Sequence, residues 1–191
     1  MKTRFEILEE HWMQHHYPDL WEWAEREIKG RAEIMVKTYI GVDPGQNGAM
    51  AVITPEQIVV FDFDDSFCLK WLKAISNLDI GDSSRGAKAV IEKATAMPKQ
   101  GVSSMFKFGT NYGQWIGRLE VLGIPFDFVT PRKWQKEIYD SMPTKNMDKK
   151  ALSLDRACRL FPEMREFLSR KKDHGRADAL LICEYARRTD K

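Results

Sequence analysis

The stretch Tyr39-Ile-Gly-Val-Asp-Pro-Gly45 decides how the rest of the chain is read. Residues 38–42 form a short β-branched run, and Asp43-Pro-Gly-Gln-Asn-Gly48 is rich in turn formers. Residues 49–53 are a second apolar run, Thr54-Pro55-Glu56 turns the chain again, and 58–63 is a third. Three short runs joined by tight Gly/Pro turns predict an antiparallel meander. Asp43 then falls at a strand end, where a rigid element would hold its carboxylate. The same residue would serve as well as a turn Asp capping its own backbone.

Working outward, residues 67–78 have helical spacing, 81–86 read as a loop, and 89–91 read as a fourth strand ending at Glu92. Residues 103–122 predict a long helix despite their glycines, 125–129 a fifth strand, and 131–139, 149–161 and 177–188 further helices. Strands first, with helices between and after them, predict an α/β fold with a mixed sheet. Residues 1–36 differ in character. Trp12, Tyr17, Leu20, Trp21, Trp23 and Ala24 alternate with Glu and Arg, Tyr17-Pro18-Asp19 offers a break and a cap, and Gly30 lies near the end. This segment is expected to be a helical appendage to a core of residues 37–191.

The 191 residues fit one domain of ordinary size plus an added element. No apolar run reaches membrane-spanning length, and the N-terminus lacks a signal peptide's apolar core. Cys68, Cys158 and Cys183 form no CxxC pair, so reduced thiols in a cytoplasm-like compartment are expected. The net charge of +2 hides an asymmetry. Residues 1–36 carry five Lys/Arg against eight Asp/Glu, whereas residues 131–191 carry sixteen against ten. A basic C-terminal third suits a polyanion, because Lys and Arg neutralise phosphates and release counterions. It also suits a merely solvated helical surface.

Three acidic positions stand out beyond charge balance. Asp43 ends the first strand and Glu92 ends the fourth. Asp173-His-Gly-Arg-Ala-Asp178 opens the last helix. If the fourth strand lies beside the first, Asp43 and Glu92 converge. His174 and Asp178 are four apart and share a helical face, although Gly175 between them puts helix continuity in question. Asp173 could replace His174, or could simply cap the helix. Hard oxygen donors with one imidazole suit Mg²⁺ or Mn²⁺. Two such ions ~3.5–4 Å apart can activate water and stabilise the leaving oxygen at a phosphodiester.

Ile40-Gly-Val-Asp-Pro-Gly45 resembles the first-strand motif of RuvC-type Holliday junction resolvases. Val90-Ile-Glu-Lys-Ala94 resembles their fourth-strand motif, and Asp173-His-Gly-Arg-Ala-Asp-Ala-Leu-Leu-Ile182 their final-helix motif. Order and separations agree over residues 37–188, and the 97–109 segment is similar to that of phage and related bacterial members. The resemblance implies an RNase H-like fold, a five-stranded mixed sheet flanked by helices, with residues 1–34 outside it. It implies that Asp43, Glu92 and Asp178 are catalytic metal ligands and that His174 fills the fourth position. Some members keep an acid where this chain has Gly175, while the plant chloroplast resolvase places a His four before its last acid. The fourth ligand therefore stays open between His174 and Asp173. The implied activity is symmetric nicking of four-way DNA by a homodimer using Mg²⁺, with Mn²⁺ as substitute and two ions per site. The implied setting is the cytoplasm of a bacterial cell or phage-infected host.

Candidate DNA contacts follow from position. Met97 is the nearest apolar residue for a wedge between bases, beside Lys99 and Gln100, since Thr95 stands where some relatives carry Phe. It could equally anchor a loop in the core. Ser103, Ser104 and Lys107 start the long helix, where hydroxyls and N–H groups could hold phosphate. Lys133, Lys136, Lys149, Lys150 and Arg176 are basic candidates, while Trp134 reads as core. Gly109, Gly113 and Gly117 line one helical stripe that would allow close packing, on a second copy or on the chain's own sheet. His11, His15 and His16 lack the further ligands a zinc site needs.

Three rivals remain. A sugar-kinase-type phosphotransferase would need a second Asp-Gly phosphate loop and a longer chain. A silent junction-binding protein would not need three intact acids. Another RNase H-fold nuclease, cutting RNA–DNA hybrids or transposon ends, would lack the 97–109 segment and Arg176-Ala-Asp-Ala179.

Overall fold

A computed structural model describes residues 38–45, 48–63, 66–78, 86–93, 101–140 and 148–190. Its elements run β1 (Thr38–Asp43), β2 (Ala49–Ile53), β3 (Ile58–Asp62), α1 (Ser66–Leu78), β4 (Ala87–Glu92), α2 (Val102–Val121) and β5 (Phe126–Val129). Three helices follow: α3 (Pro131–Ile138), α4 (Lys149–Leu160) and α5 (His174–Thr189). Two 3₁₀ segments, Pro162–Leu168 and Lys171–Asp173, lie between α4 and α5 and do not follow from the sequence pattern. The expected N-terminal appendage, its histidines, and Thr95, Met97, Lys99 and Gln100 lie outside the described residues.

The sheet order is β3-β2-β1-β4-β5. β1, β2 and β3 pair antiparallel, as the three short runs predict, while β1–β4 and β4–β5 are parallel. This five-stranded mixed sheet with flanking helices is the RNase H-like arrangement that the motifs imply. The central strands β1 and β4 are covered on both faces, and their residues sort by parity. Ile40, Val42, Ala89 and Ile91 pack with Cys68 and Leu72 of α1 and with Trp115 and Leu119 of α2. Val90 and Val129 pack on the other side with α3, α4 and α5. Alternation along a strand then sends Asp43 and Glu92 to this second side.

The tightest helix-to-sheet approach is that of α5 over β1. A Cβ on Gly41 would overlap the Ala179 carbonyl oxygen and the Cys183 backbone nitrogen. Only glycine admits the helix at this depth. Ala177, Ala179 and Leu180 to Ala186 are accordingly buried, and Cys183 Sγ donates to the Tyr39 carbonyl at 3.0 Å. Gly175 does not interrupt the helix: α5 is continuous from His174, and Gly175 is buried within it.

The glycine stripe of α2 behaves differently. A Cβ at Gly109, Gly113 or Gly117 would meet nothing within 4 Å. The stripe therefore does not pack on the chain's own sheet, because Trp115 and Leu119 occupy the sheet-facing side. None of the three cysteines forms a disulfide. No described helix is long and apolar enough to cross a membrane.

Gly41→Ala is expected to cost about 3 kcal/mol, since the backbone it strikes has no rotamer through which to escape. Urea unfolding of the pure variant measures this. A loss below about 0.5 kcal/mol would show that α5 does not depend on this contact.

Candidate metal centre

Asp43 is fixed by the turn that follows it. Gly45 N–H donates to Asp43 Oδ1 at 2.9 Å, and Gly48 N–H donates to the Gly45 carbonyl at 2.9 Å. A Cβ at Gly48 would overlap the Asp43 carbonyl oxygen, so the turn demands glycine there. Asn111 on α2 adds a strut, its Nδ2 donating to the Gly45 carbonyl at 3.3 Å. The turn-capping role and the strand-end role expected of Asp43 therefore coexist.

Glu92 ends β4 next to it. Val42 pairs with Ile91 in parallel register, which puts Asp43 and Glu92 one step beyond, on neighbouring strands. Asp178 comes from the second turn of α5, one residue before the Ala179 that lies against Gly41. Three carboxylates from three elements thus lie near enough to influence one another's acidity. Burial, then the Asp178 charge, pushes Asp43 up to about 8, with Glu92 adding to the rise. Burial, then Glu92, pushes Asp178 up to about 7, against hydrogen bonding from Ser153 and the charge of Lys150. Burial raises Glu92 as well, opposed by its hydrogen bond from Trp134.

The two alternatives for a fourth ligand part company. Asp173 is buried, and Arg170 engages its carboxylate through the backbone N–H at 2.9 Å and through Nη2 at 2.8 Å. It starts α5, yet its side chain caps the preceding 3₁₀ turn rather than the helix. His174 stands one helical turn before Asp178, and its Nδ1 is buried with no hydrogen-bond partner among the described residues. Among the described residues, no three His, Cys, Asp or Glu side chains are close enough together to hold a metal ion as they stand.

The basic candidates separate too. Arg176 is turned to β3, with Nε donating to Asp62 Oδ1 at 2.7 Å and Nη1 to the Phe167 carbonyl. It ties α5 to β3. Lys133 and Lys136 on α3, Lys149 and Lys150 on α4, and Ser103, Ser104 and Lys107 on α2 are exposed. Lys150 is the one whose charge is felt by Asp178.

Sequence reasoning missed Trp134 and Ser153. Trp134 is core, 1% exposed, but its Nε1 donates to Glu92 Oε2 at 2.6 Å. A signal existed, because a buried indole N–H needs an acceptor. Nothing local named which one.

Fold and site together define an RNase H-like domain with an acidic cluster at the ends of its two central strands. No protein-family model matches the chain. Over 96 residues, 50% of the chain, it is 33% identical to the chloroplastic Holliday junction resolvase MOC1 of Chlamydomonas reinhardtii. The chain spans 10% of that relative's length. A solved structure of T. thermophilus RuvC in complex with a Holliday junction substrate aligns with a TM-score of 0.43 and 15% identity, covering 81% of this chain and 96% of that one. A second Thermus thermophilus RuvC structure aligns at 0.42 and 16%, covering 80% and 95%.

The raised acids give a sign for pH dependence. An unfolded Asp titrates near about 4, so between that pH and about 8 the folded protein holds protons on Asp43 that the unfolded chain has lost. Their stabilisation is complete below the unfolded value and disappears as pH rises through 7 and 8. In chelator, the unfolding midpoint is expected to fall from pH 5.5 to pH 8. Asp43→Asn should flatten this slope and stabilise the protein at pH 8 by about 1–2 kcal/mol. A midpoint that rises over this interval would contradict the crowding of charge.

Proposed function

We propose that the chain is a divalent-metal-dependent endonuclease that resolves four-way DNA junctions, with residues 37–191 as its nuclease domain. The observation that carries this reading is the convergence of Asp43, Glu92 and Asp178 on one side of the sheet, each pushed toward its protonated form by burial and, for Asp43 and Asp178, by neighbouring carboxylates. Such a cluster is costly without cations and becomes favourable with them. The donor set fits Mg²⁺ or Mn²⁺: three hard carboxylates and a His174 nitrogen with no hydrogen-bond partner among the described residues. Asp43, Glu92, Asp178 and His174 would hold the ions, two to a site; the Arg170 pairing of Asp173 favours His174 over it as the fourth ligand. When bound, the ions supply Lewis acidity toward the phosphate and lower the pKa of water.

The chain's own groups do the rest. β1 and β4 hold two acids on a rigid sheet, and Lys150, beside Asp178, neutralises the approaching phosphate. Lys133, Lys136 and Lys149, with Ser103, Ser104 and Lys107, track the flanking backbone, where contacts position without reading sequence. Met97, Lys99 and Gln100 remain the proposed contacts at the junction centre. Hydrolysis leaves a 5′-phosphate and a 3′-hydroxyl, which a ligase can rejoin. The absence of disulfides fits a reducing compartment such as the cytoplasm of a bacterium or phage-infected host.

Four-way DNA has two-fold symmetry, so paired nicks call for two sites related by the same axis. The open glycine stripe of α2, flanked by Val102, Phe106 and Val121 at 86%, 76% and 88% exposure, is the face we assign to the homodimer. Gly113→Ala separates the possibilities. On a free helix it would stabilise by ~0.5–1 kcal/mol; at a close helix–helix contact it would weaken association. Sedimentation velocity of wild type and variant is expected to show a dimer that dissociates more readily in the variant. A monomeric wild type would remove the symmetric mechanism.

The activity itself is tested with a synthetic four-way junction, a flap, a bubble and an RNA–DNA hybrid in Mg²⁺ or Mn²⁺. Paired symmetric nicks on the junction are expected, and cleavage of the hybrid alone would replace this reading by another RNase H-fold nuclease. Asp43→Asn should lose more than ~100-fold in nicking while still retarding the junction on a gel. Retained nicking would take Asp43 out of the chemistry, and binding without cleavage by the wild type would favour a silent junction-binding protein.

A further inference from the structure

Two of the three acids are each approached by a single-proton donor from the same wall of the domain. Trp134, on α3, donates its Nε1–H to Glu92 Oε2 at 2.6 Å, and its ring leans on Tyr139, centroid to centroid 5.8 Å. An indole has one proton to give and accepts none, so this bond has only one direction.

On α4, Ser153 is buried, and its hydroxyl stands near enough to the Asp178 carboxylate to favour the charged form. Its Oγ also lies 2.8 Å from the Tyr139 hydroxyl and 3.2 Å from the Lys149 carbonyl. A serine has one proton for these neighbours. That proton goes to the Lys149 carbonyl or, once Asp178 is ionised, to its charged oxygen. In either case Tyr139 is left to donate to Ser153. From one aromatic pair, Trp134 against Tyr139, Trp134 reaches Glu92 while Ser153 stands beside Asp178.

We propose that Trp134 and Ser153 are positioning residues of the metal centre: each occupies one side of its carboxylate and leaves the remaining lone pairs of Glu92 and Asp178 for the cation. This rests on the metal-site reading above, though not on the identity of the DNA. Each acid is thereby held in one rotamer before the ion arrives. The rotamers are set by helices that themselves contribute no acid to the cluster.

Trp134→Phe keeps the ring and removes the N–H; Ser153→Ala removes the hydroxyl. Mn²⁺ binding to the full chain is measured by titration calorimetry, with the unfolding midpoint in chelator recorded alongside. Each variant is expected to bind Mn²⁺ about 10–100-fold more weakly. In a Glu92→Gln background, Trp134→Phe should add less than about twofold, because it acts through Glu92. Wild-type affinity in both folded variants would overturn the proposal and leave a packing role only. If Trp134→Phe does not fold, Ser153→Ala alone decides the matter through Asp178. A wild type that takes up no Mn²⁺ overturns the metal reading and this inference together. Weakened Mn²⁺ uptake in the variants supports the inference even where no junction is cut, an outcome that would refute only the nuclease reading.

Discussion

Gly41 has no side chain, and the arrangement of the site follows from that. A Cβ there would occupy the space of the Ala179 carbonyl and the Cys183 nitrogen. Its absence lets α5 lie directly on β1, and Asp178 arrives one residue away from the contact. Layers packed through two sets of side chains usually stand apart by about 10 Å. At such a separation Asp178 would not crowd Asp43, and a short Asp could not share an ion with an acid at a strand end. The same approach buries the inner face of α5 from Ala177 to Ala186. Packing energy therefore holds three carboxyl groups close together, where burial and mutual repulsion disfavour their charged forms.

That opposition is a common mark of a functional site: stability obtained elsewhere keeps an unfavourable cluster in place. Several other acids of the domain are neutralised locally. Asp173 is matched by Arg170, Asp62 by Arg176, and Glu184 by Arg187 and Arg188. Asp43, Glu92 and Asp178 receive hydrogen bonds from Gly45, Trp134 and Ser153 but, among the described residues, no ion pair of this kind. The contrast, between acids matched by arginines and a trio at the strand ends with no such partner among the described residues, argues for an external cation more strongly than any one residue does.

Much of this was legible in the sequence, for physical reasons. Turn chemistry around Asp43 and Gly48 is local, so the β1–β3 meander could be read directly. The acids could be placed at strand ends because strand lengths follow apolar runs. The likeness of three ordered motifs then put those strands side by side. What was not legible depends on distant or competing partners. Arg176 reads as a free cation until β3 brings Asp62 to it, 114 residues away in sequence. Asp173 reads as a helix cap or a ligand until the 3₁₀ turn presents Arg170. Trp134 reads as core, which it is, and its bond to Glu92 becomes visible only when α3 is docked beside β4. The stripe on α2 needed coordinates to show which way it faced.

Whether Asp43, Glu92, Asp178 and His174 form one site for two divalent ions is tested most directly by crystals of the full chain grown with Mn²⁺ and measured at the manganese absorption edge. Two anomalous peaks ~3.5–4 Å apart, bounded by these four side chains, are the predicted result. Peaks held elsewhere, with the three carboxylates left bare, would contradict it.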